Sequence, residues 1–294
     1  MLRKMKKFEY FEPSTLEEAF SLLNKYDGEI KVLGGGTDLL VAMKERELTP
    51  PYIMNIKGIP GLDYIKYEEK GDLRIGALTT IRTIETSKVI REKFSVLAQA
   101  AGLLGSIQVR NRATIGGNLC NAAPSAETAP ALIGLKAKMK LVSSKGERVV
   151  PLEEFFVGPG VTVLKKGEIL SEIIVPFSPS YTKGVYIKYS PRKAMDIAVV
   201  GVAVVATLST EEKVWEDVNI VLGAVAPTPL RARKAEEALR GKKISEDLVE
   251  KAGQLAYEEV CPISDVRASD DYRKEMVKVL VEKAIREISE LKES

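Results

Sequence analysis

The sequence predicts an α+β protein in two parts: a mixed α/β first part, then an antiparallel sheet accompanied by a helix bundle. Three observations predict it. Short strand-like apolar runs alternate with amphipathic helical spacing over about the first 175 residues. Pro176 and Pro179 then interrupt the pattern, which marks a boundary between residues 1–176 and 177–294. Beyond it, three strand-like runs with hairpin-length separations give way to sustained helical periodicity. The first part divides further, at about residue 56, into two subdomains (about 1–56 and 57–176).

Taken in order, the basic start Arg3, Lys4, Lys6 and Lys7 leads into Phe8–Glu12, an amphipathic first strand rather than a targeting segment, because no long apolar stretch follows. Ser14 is the expected N-cap of a first helix, with Glu17 three residues on completing a capping box and Asp27-Gly28 as the stop. Residues 29–33 form a strand broken by three glycines, and helical spacing resumes at Asp38. A strand at 74–78 precedes helical segments across 81–104, and 138–150 reads as a hairpin turning at Ser144-Lys145-Gly146. In the second part, strands are expected at 184–189, 197–208 and 214–225, a three-stranded sheet, and helices at 231–239, 246–259 and 271–291.

Composition narrows the chemistry. With 45% hydrophobic and 29% charged residues in 294, the profile is that of a soluble globular protein. Forty-four basic against 41 acidic residues leave a net charge of +3, which argues for no nucleic-acid partner. No run approaches the roughly 18–20 apolar residues of a membrane span, and a cytoplasmic protein is the simplest reading. Histidine is absent, which removes Ser-His-Asp and Cys-His catalysis and His-ligated metal sites. Cys120 and Cys261, the two cysteines, are too few for an iron–sulfur cluster, and a cytoplasmic setting disfavours a disulfide between them. No metal ligand set and no acid–base catalytic residue emerge. Any redox chemistry must come from a bound organic cofactor.

Two glycine turns supply candidates for holding one. Gly34-Gly35-Gly36-Thr37-Asp38 lacks the third glycine of the dinucleotide fingerprint, where Leu39 stands, and the Gly-Lys-Ser/Thr of a P-loop. Consecutive glycines nevertheless let successive backbone N–H groups converge on an anion, with Thr37 adding a hydroxyl. By itself such a turn is more often structural. The second candidate is the stretch 108–130, 23 loop-like residues rich in small side chains, amides and hydroxyls around Thr114-Ile115-Gly116-Gly117-Asn118. Asn118 and Asn121 can donate and accept hydrogen bonds; Arg110 and Arg112 are candidate phosphate partners, with surface salt bridges as the commoner role. Glu127 is placed to accept from ligand hydroxyls, or simply begins a helix. Two such turns from distant positions point to a diphosphate held from both sides, and so to a dinucleotide.

These residues resemble a known family: the FAD-binding medium subunit of molybdenum hydroxylases, which includes xanthine dehydrogenase and aerobic-type carbon monoxide dehydrogenase. The resemblance spans essentially the whole chain. It rests on the opening Phe8–Pro13, on residues 32–39, 108–118 and 123–130, on the Lys188–Ala198 segment and on Ser264–Arg273. It implies the two-subdomain FAD fold of the vanillyl-alcohol-oxidase and CO-dehydrogenase flavoproteins. Val32, Leu33, Gly34, Gly35, Gly36, Thr37, Asp38 and Leu39 match the family's first FAD segment, and Thr114, Ile115, Gly116, Gly117 and Asn118 its second. Glu127 matches a carboxylate that contacts the flavin's sugar-like chain, and Leu170 and Lys188 match further flavin contacts, Lys188 near the ring, where it would favour the reduced flavin. Asp196 either orients Lys188 or Arg192 or begins the next strand. Leu104 stands where the animal xanthine enzymes have a phenylalanine against the flavin, a lost contact worth about 0.5–1.5 kcal/mol.

The resemblance also implies partners. A molybdopterin-binding large subunit would oxidise the substrate, and a small subunit with two [2Fe-2S] clusters would relay electrons to FAD on this chain. NAD⁺, oxygen or another acceptor would then be reduced. Neither the fused iron–sulfur and molybdenum domains of the animal enzyme nor the cysteine-bearing insertion of one reductase branch is present in the sequence. A free-standing flavin oxidoreductase of the same fold and an assembly subunit with empty glycine turns are the alternatives.

Overall fold

A computed structural model describes residues 5–69, 71–179, 181–192, 194–209 and 214–291. Arg3 and Lys4 of the basic start and Lys193 of the Lys188–Ala198 segment lie outside the described residues. The chain opens with β1 (Glu9–Phe11), α1 (Leu16–Lys25), β2 (Ile30–Leu33), α2 (Leu39–Glu45), β3 (Tyr52–Asn55), β4 (Ile65–Tyr67) and β5 (Leu73–Gly76). Eight short helices and strands of the middle follow: α3 (Ile81–Thr86), α4 (Lys88–Lys93), α5 (Ser95–Gly102), α6 (Ile107–Arg110), α7 (Ile115–Cys120), α8 (Thr128–Gly134), β6 (Lys138–Ser143) and β7 (Gly146–Pro151). A 3-10 turn at Leu152–Glu154 leads to β8 (Phe156–Gly158), β9 (Val161–Thr162) and β10 (Ile169–Val175). The remainder is β11 (Thr182–Tyr189), β12 (Val200–Leu208), β13 (Trp215–Gly223), β14 (Leu230–Arg231), α9 (Arg233–Leu239), α10 (Glu246–Glu259) and α11 (Asp270–Ser289).

Three larger sheets and a two-stranded β8-β9 sheet organise these elements. The parallel β1-β3-β2 sheet lies at the start, with α1 and α2 crossing between its strands. An antiparallel β4-β5-β10-β6-β7 sheet carries α3 to α8 against it, and its core runs from Leu73 and Ile75 through Leu97, Leu119 and Leu132 to Ile173. The antiparallel β11-β12-β13-β14 sheet has a second core with α9, α10 and α11, centred on Trp215, Ile220, Val277 and Val281. The other face of β11 and β12 rests on α5 and α8. There Tyr186 N donates to Gln99 Oε1 at 2.8 Å, and Asn219 Nδ2 reaches Gly134 O at 3.1 Å.

Three local expectations change. The first helix is capped one residue later than expected: Thr15 Oγ1 accepts from Glu18 N at 3.2 Å, and Ser14 N donates to the Glu18 carboxylate at 2.8 Å. The same reciprocal cap is therefore made by Thr15 and Glu18, because Pro13-Ser14 continues the strand exit. The helical segments expected across 81–104 are three helices, interrupted where Ser87 and Phe94 leave the helical region, as the plural expectation allows. The stretch 108–130 is not a loop but carries the end of α6, all of α7 and the start of α8, each started by a side-chain cap or by packing rather than by propensity. The second part's sheet has a fourth strand, β14, whose two residues pair with Val221 and Leu222, too short for periodicity to reveal.

Candidate functional site

The first glycine turn follows β2, whose last residue, Leu33, is buried against Met43 and Ile53. Gly36 has φ +80°, a left-handed conformation that a side chain resists. The chain thereby bends so that the backbone N–H groups of Gly34, Gly35, Gly36, Thr37 and Asp38 donate to no acceptor among the described residues. Consecutive amides left without an acceptor at the carboxyl end of a strand are the kind of donor row that can take an anion. Thr37 Oγ1 donates to Asp38 Oδ2 at 3.3 Å.

In the second segment the amides are already taken. Thr114 caps α7 by accepting from Gly117 N at 3.1 Å. Ile115 N donates to Thr79 O at 3.0 Å, Gly116 N to Ala77 O at 2.8 Å and Asn118 N to Thr114 O at 3.0 Å. The expectation that both turns present free backbone donors thus holds for the first only, because α7 is docked on the end of β5. Gly116 permits that docking, since a Cβ there would lie 2.7 Å from Ala77 O. Gly35 permits a second close approach: its Cβ would fall 2.3 Å from Arg112 O and 2.7 Å from Ala113 Cα. The two glycine segments, 80 residues apart in sequence, are in direct backbone contact.

Between them opens a cavity of about 120 Å³. Of the sequence candidates, Val32, Gly34, Thr114, Gly116, Gly117 and Leu170 line it. Its remaining wall, from Ile56, Ala77, Leu78, Cys120, Leu164, Glu168 and Ile169, was not anticipated: apart from Glu168 these are small or apolar residues at element ends and in loops. Burial pushes the Cys120 thiol up to about 12, so it is a neutral part of the wall. Glu168 receives the Arg148 guanidinium at 2.7 and 2.8 Å, which holds its carboxyl below the usual range.

A second group of candidates gathers beside the first turn. Glu127 precedes α8, and its Oε1 accepts from Lys188 Nζ at 2.8 Å in an ion pair whose side chains are only 10% and 6% exposed. Burial raises the Glu127 carboxyl above its ordinary value, with the Asp38 charge adding to that and Lys188 opposing it. Asn118 Oδ1 accepts from Thr128 Oγ1 at 2.5 Å, tying α7 to this corner. Lys188 Nζ also donates to Leu103 O at 3.1 Å and Asp196 O at 2.7 Å. The Asp196 carboxylate turns instead to Arg192, accepting from its backbone N at 2.9 Å, so Asp196 meets Lys188 and Arg192 through different atoms; it does not begin the next strand, which starts at Val200.

Other candidates stand away from the cavity. Ile115 is fully buried in the main core, and Leu104 is buried in the same core without lining the cavity. Leu33 and Leu39 pack beneath the first turn. Arg110, a candidate phosphate partner, is a buried structural cation: it pairs with Glu85 at 2.8 Å and donates to Leu104 O at 3.0 Å.

These residues fit a dinucleotide: an unengaged amide row for a diphosphate, a mostly apolar cavity for a ring, and a buried carboxylate for hydroxyls. Comparison with known proteins agrees. Residues 6–178 match the model of the FAD binding domain in molybdopterin dehydrogenase, and residues 185–288 the CO dehydrogenase flavoprotein C-terminal domain. The chain is 36% identical to the glyceraldehyde dehydrogenase medium chain of Sulfolobus acidocaldarius, covering 96% of this chain and 98% of that one. It is 32% identical to a xanthine dehydrogenase FAD-binding subunit of Escherichia coli over 95% of this chain and 94% of that one. Among solved structures, carbon monoxide dehydrogenase from Hydrogenophaga pseudoflava superposes with a TM-score of 0.92 at 34% identity, covering 96% of this chain and 97% of that one. The chain belongs to the family of FAD-binding medium subunits of the molybdenum hydroxylases.

Proposed function

We propose that this chain is the electron-transfer subunit of a multi-subunit molybdenum hydroxylase. In this reading it receives electrons from a [2Fe-2S] small subunit while a molybdopterin-binding large subunit oxidises the substrate, and it delivers them to NAD⁺, oxygen or another acceptor. The observation that carries the reading is the row of free amides from Gly34 to Asp38, locked against the Arg112-Ala113 backbone beside an apolar cavity. The medium-chain relatives, matched end to end, support it. A cytoplasmic setting is part of the proposal, and two free cysteines are consistent with it.

Bound FAD supplies the electron-transfer chemistry that a chain without histidine does not provide itself. The chain's own residues bind, orient and exclude water. The Gly34–Asp38 amides serve the diphosphate, Ile56, Leu78 and Leu170 offer dry contact, and Glu127 offers a carboxylate acceptor to ligand hydroxyls.

Purified chain should show near-stoichiometric flavin absorbance and should co-purify with two partner chains bearing iron and molybdenum. A colourless chain that takes up no added FAD would refute the proposal. Gly117→Val tests the second segment. Gly117 is a helical residue without positive φ, so the substitution acts by filling space. Its Cβ would meet Thr114 Oγ1 at 2.9 Å and stand at the cavity wall. The variant should fold, by circular dichroism, yet lose its flavin on gel filtration. Full occupancy would remove the second segment from the site.

A further inference from the structure

We infer that Arg273 is a positioning residue for FAD binding: through the backbone of Ala224 it holds the 121–126 loop, and with it the helix α7 that walls the cofactor cavity. The inference rests on the FAD-binding reading above and gives a role to Ser264–Arg273, a segment whose residues do not line that cavity. Arg273 lies in the first turn of α11, and its side chain is only 3% exposed. Its Nη2 donates to Asp265 Oδ1 at 2.8 Å; its Nη1 donates to Val199 O at 2.8 Å and to Ala224 O at 3.2 Å. Its Nε is buried and meets no acceptor among the described residues, so the two Nη groups alone orient the guanidinium.

The surrounding segment fixes this cation. Ser264 Oγ donates to Asp270 Oδ1 at 2.7 Å, and Asp270 N donates back to Ser264 Oγ at 2.9 Å. Asp265 also accepts from Arg267 N and Arg267 Nη1, each at 2.8 Å, so its carboxylate is held independently of Arg273. Ala224 is the residue on which the cation acts. Its φ is +65°, a left-handed conformation that a residue with a Cβ keeps only where its surroundings impose it. Arg273 fixes its carbonyl on one side, and its N–H donates to Pro124 O at 2.8 Å on the other. The same strand end is pressed against α8: a Cβ on Gly223 would lie 3.0 Å from Pro130 Cγ.

Pro124 belongs to the loop that leaves α7. A second remote donor, Gly160 N, reaches the same loop at Ala122 O, at 3.0 Å. These tethers matter because α7 is intrinsically weak. Two glycines in six residues disfavour a helix, and so short a helix is held by its surroundings. Its start is capped by Thr114, and its end runs into the tethered loop. Gly116, Gly117 and Cys120 of α7 line the cavity. Releasing Ala224 from Arg273 lets it relax out of the left-handed region. That turns its N–H away from Pro124 O and loosens the cavity wall at that end.

The test is the dissociation constant for FAD of the full-length chain, in the complex in which it purifies. Released flavin is read by fluorescence after serial dilution and ultrafiltration, well below the melting temperature that circular dichroism gives for each variant. Arg273→Met should bind FAD on the order of tenfold more weakly. Arg231→Met breaks a buried ion pair of the same sheet outside this chain of contacts; it should lower the melting temperature yet keep the wild-type constant. Glycine takes a positive φ without strain, so Ala224→Gly should restore most of the affinity in the Arg273→Met background. A role confined to stability predicts no such rescue. Should Arg273→Met fail to fold, Ala224→Val decides alone: a β-branched side chain resists the left-handed region, and affinity should fall on the order of tenfold with the arginine in place. A wild-type constant in Arg273→Met or in Ala224→Val, an equal loss in Arg231→Met, or a loss that Ala224→Gly leaves unrepaired overturns the inference. A wild type that binds no FAD overturns the functional reading and this inference with it.

Discussion

Replacing Gly35 with alanine should strip the chain of its flavin while most of the fold survives. The added Cβ lies 2.3 Å from Arg112 O and 2.7 Å from Ala113 Cα, and both obstacles are backbone. No rotamer change relieves the clash; the first glycine turn has to move off the second segment. Overpacking of this kind costs about 1–3 kcal/mol, and a loss of that size borne by the bound state alone is roughly 5- to 150-fold in affinity. The free amides of Gly34 to Asp38 belong to the part that moves, which is why the loss falls on the cofactor. Flavin-to-protein ratio after gel filtration measures it. Gly158→Ala, where a Cβ meets nothing within 4 Å, is the control and should keep full occupancy. Full occupancy in Gly35→Ala would show that the contact between the two segments is irrelevant to binding.

Arg231→Met should produce the largest loss of stability. The Glu236 side chain is 2% exposed, and its carboxylate accepts from Ile220 N at 3.0 Å and from Arg231 Nε and Nη2 at 3.0 and 2.6 Å. The same guanidinium reaches Asn219 Oδ1 at 2.7 Å and Glu153 at 3.3 Å, and so joins the β11–β14 sheet to the turn after β7. Removing the cation leaves a buried carboxylate uncompensated, a change worth about 3–5 kcal/mol, or roughly 6–20 °C in Tm for a chain of this size. The double variant Arg231→Met with Glu236→Met, which removes both charges, should recover most of that. Thermal unfolding followed by circular dichroism distinguishes the outcomes. A single variant within 1 °C of wild type would contradict a load carried by this pair.

Much of the fold was legible because the patterns that specify it are local. The strand, three glycines and helix of residues 30–45, the hairpin around Gly146 and the long strands of the β11–β14 sheet all follow from period, turn residues and length. The helix α7 was not legible. Two glycines in six residues disfavour a helix, and it forms because Thr114 caps it and because Thr79 O and Ala77 O, brought by a remote strand, take its first amides. For the same reason β14 escaped notice: two residues become a strand only when β13 lies beside them.

The division at the site follows the same line. The sequence by itself determined the glycines that allow close backbone approach, the absence of histidine chemistry, and the family motifs that name FAD. Only the tertiary structure decided which donors remain available: the amides of Gly34 to Asp38 do, those of Ile115 to Asn118 do not, and Arg110 and Lys188 are fully engaged with protein partners. The physical reason is that a polar group serves a ligand only if no closer acceptor or donor has already satisfied it. That closer partner comes from residues far away in the chain, such as Glu85, Thr79 or Leu103, whose proximity no local pattern encodes.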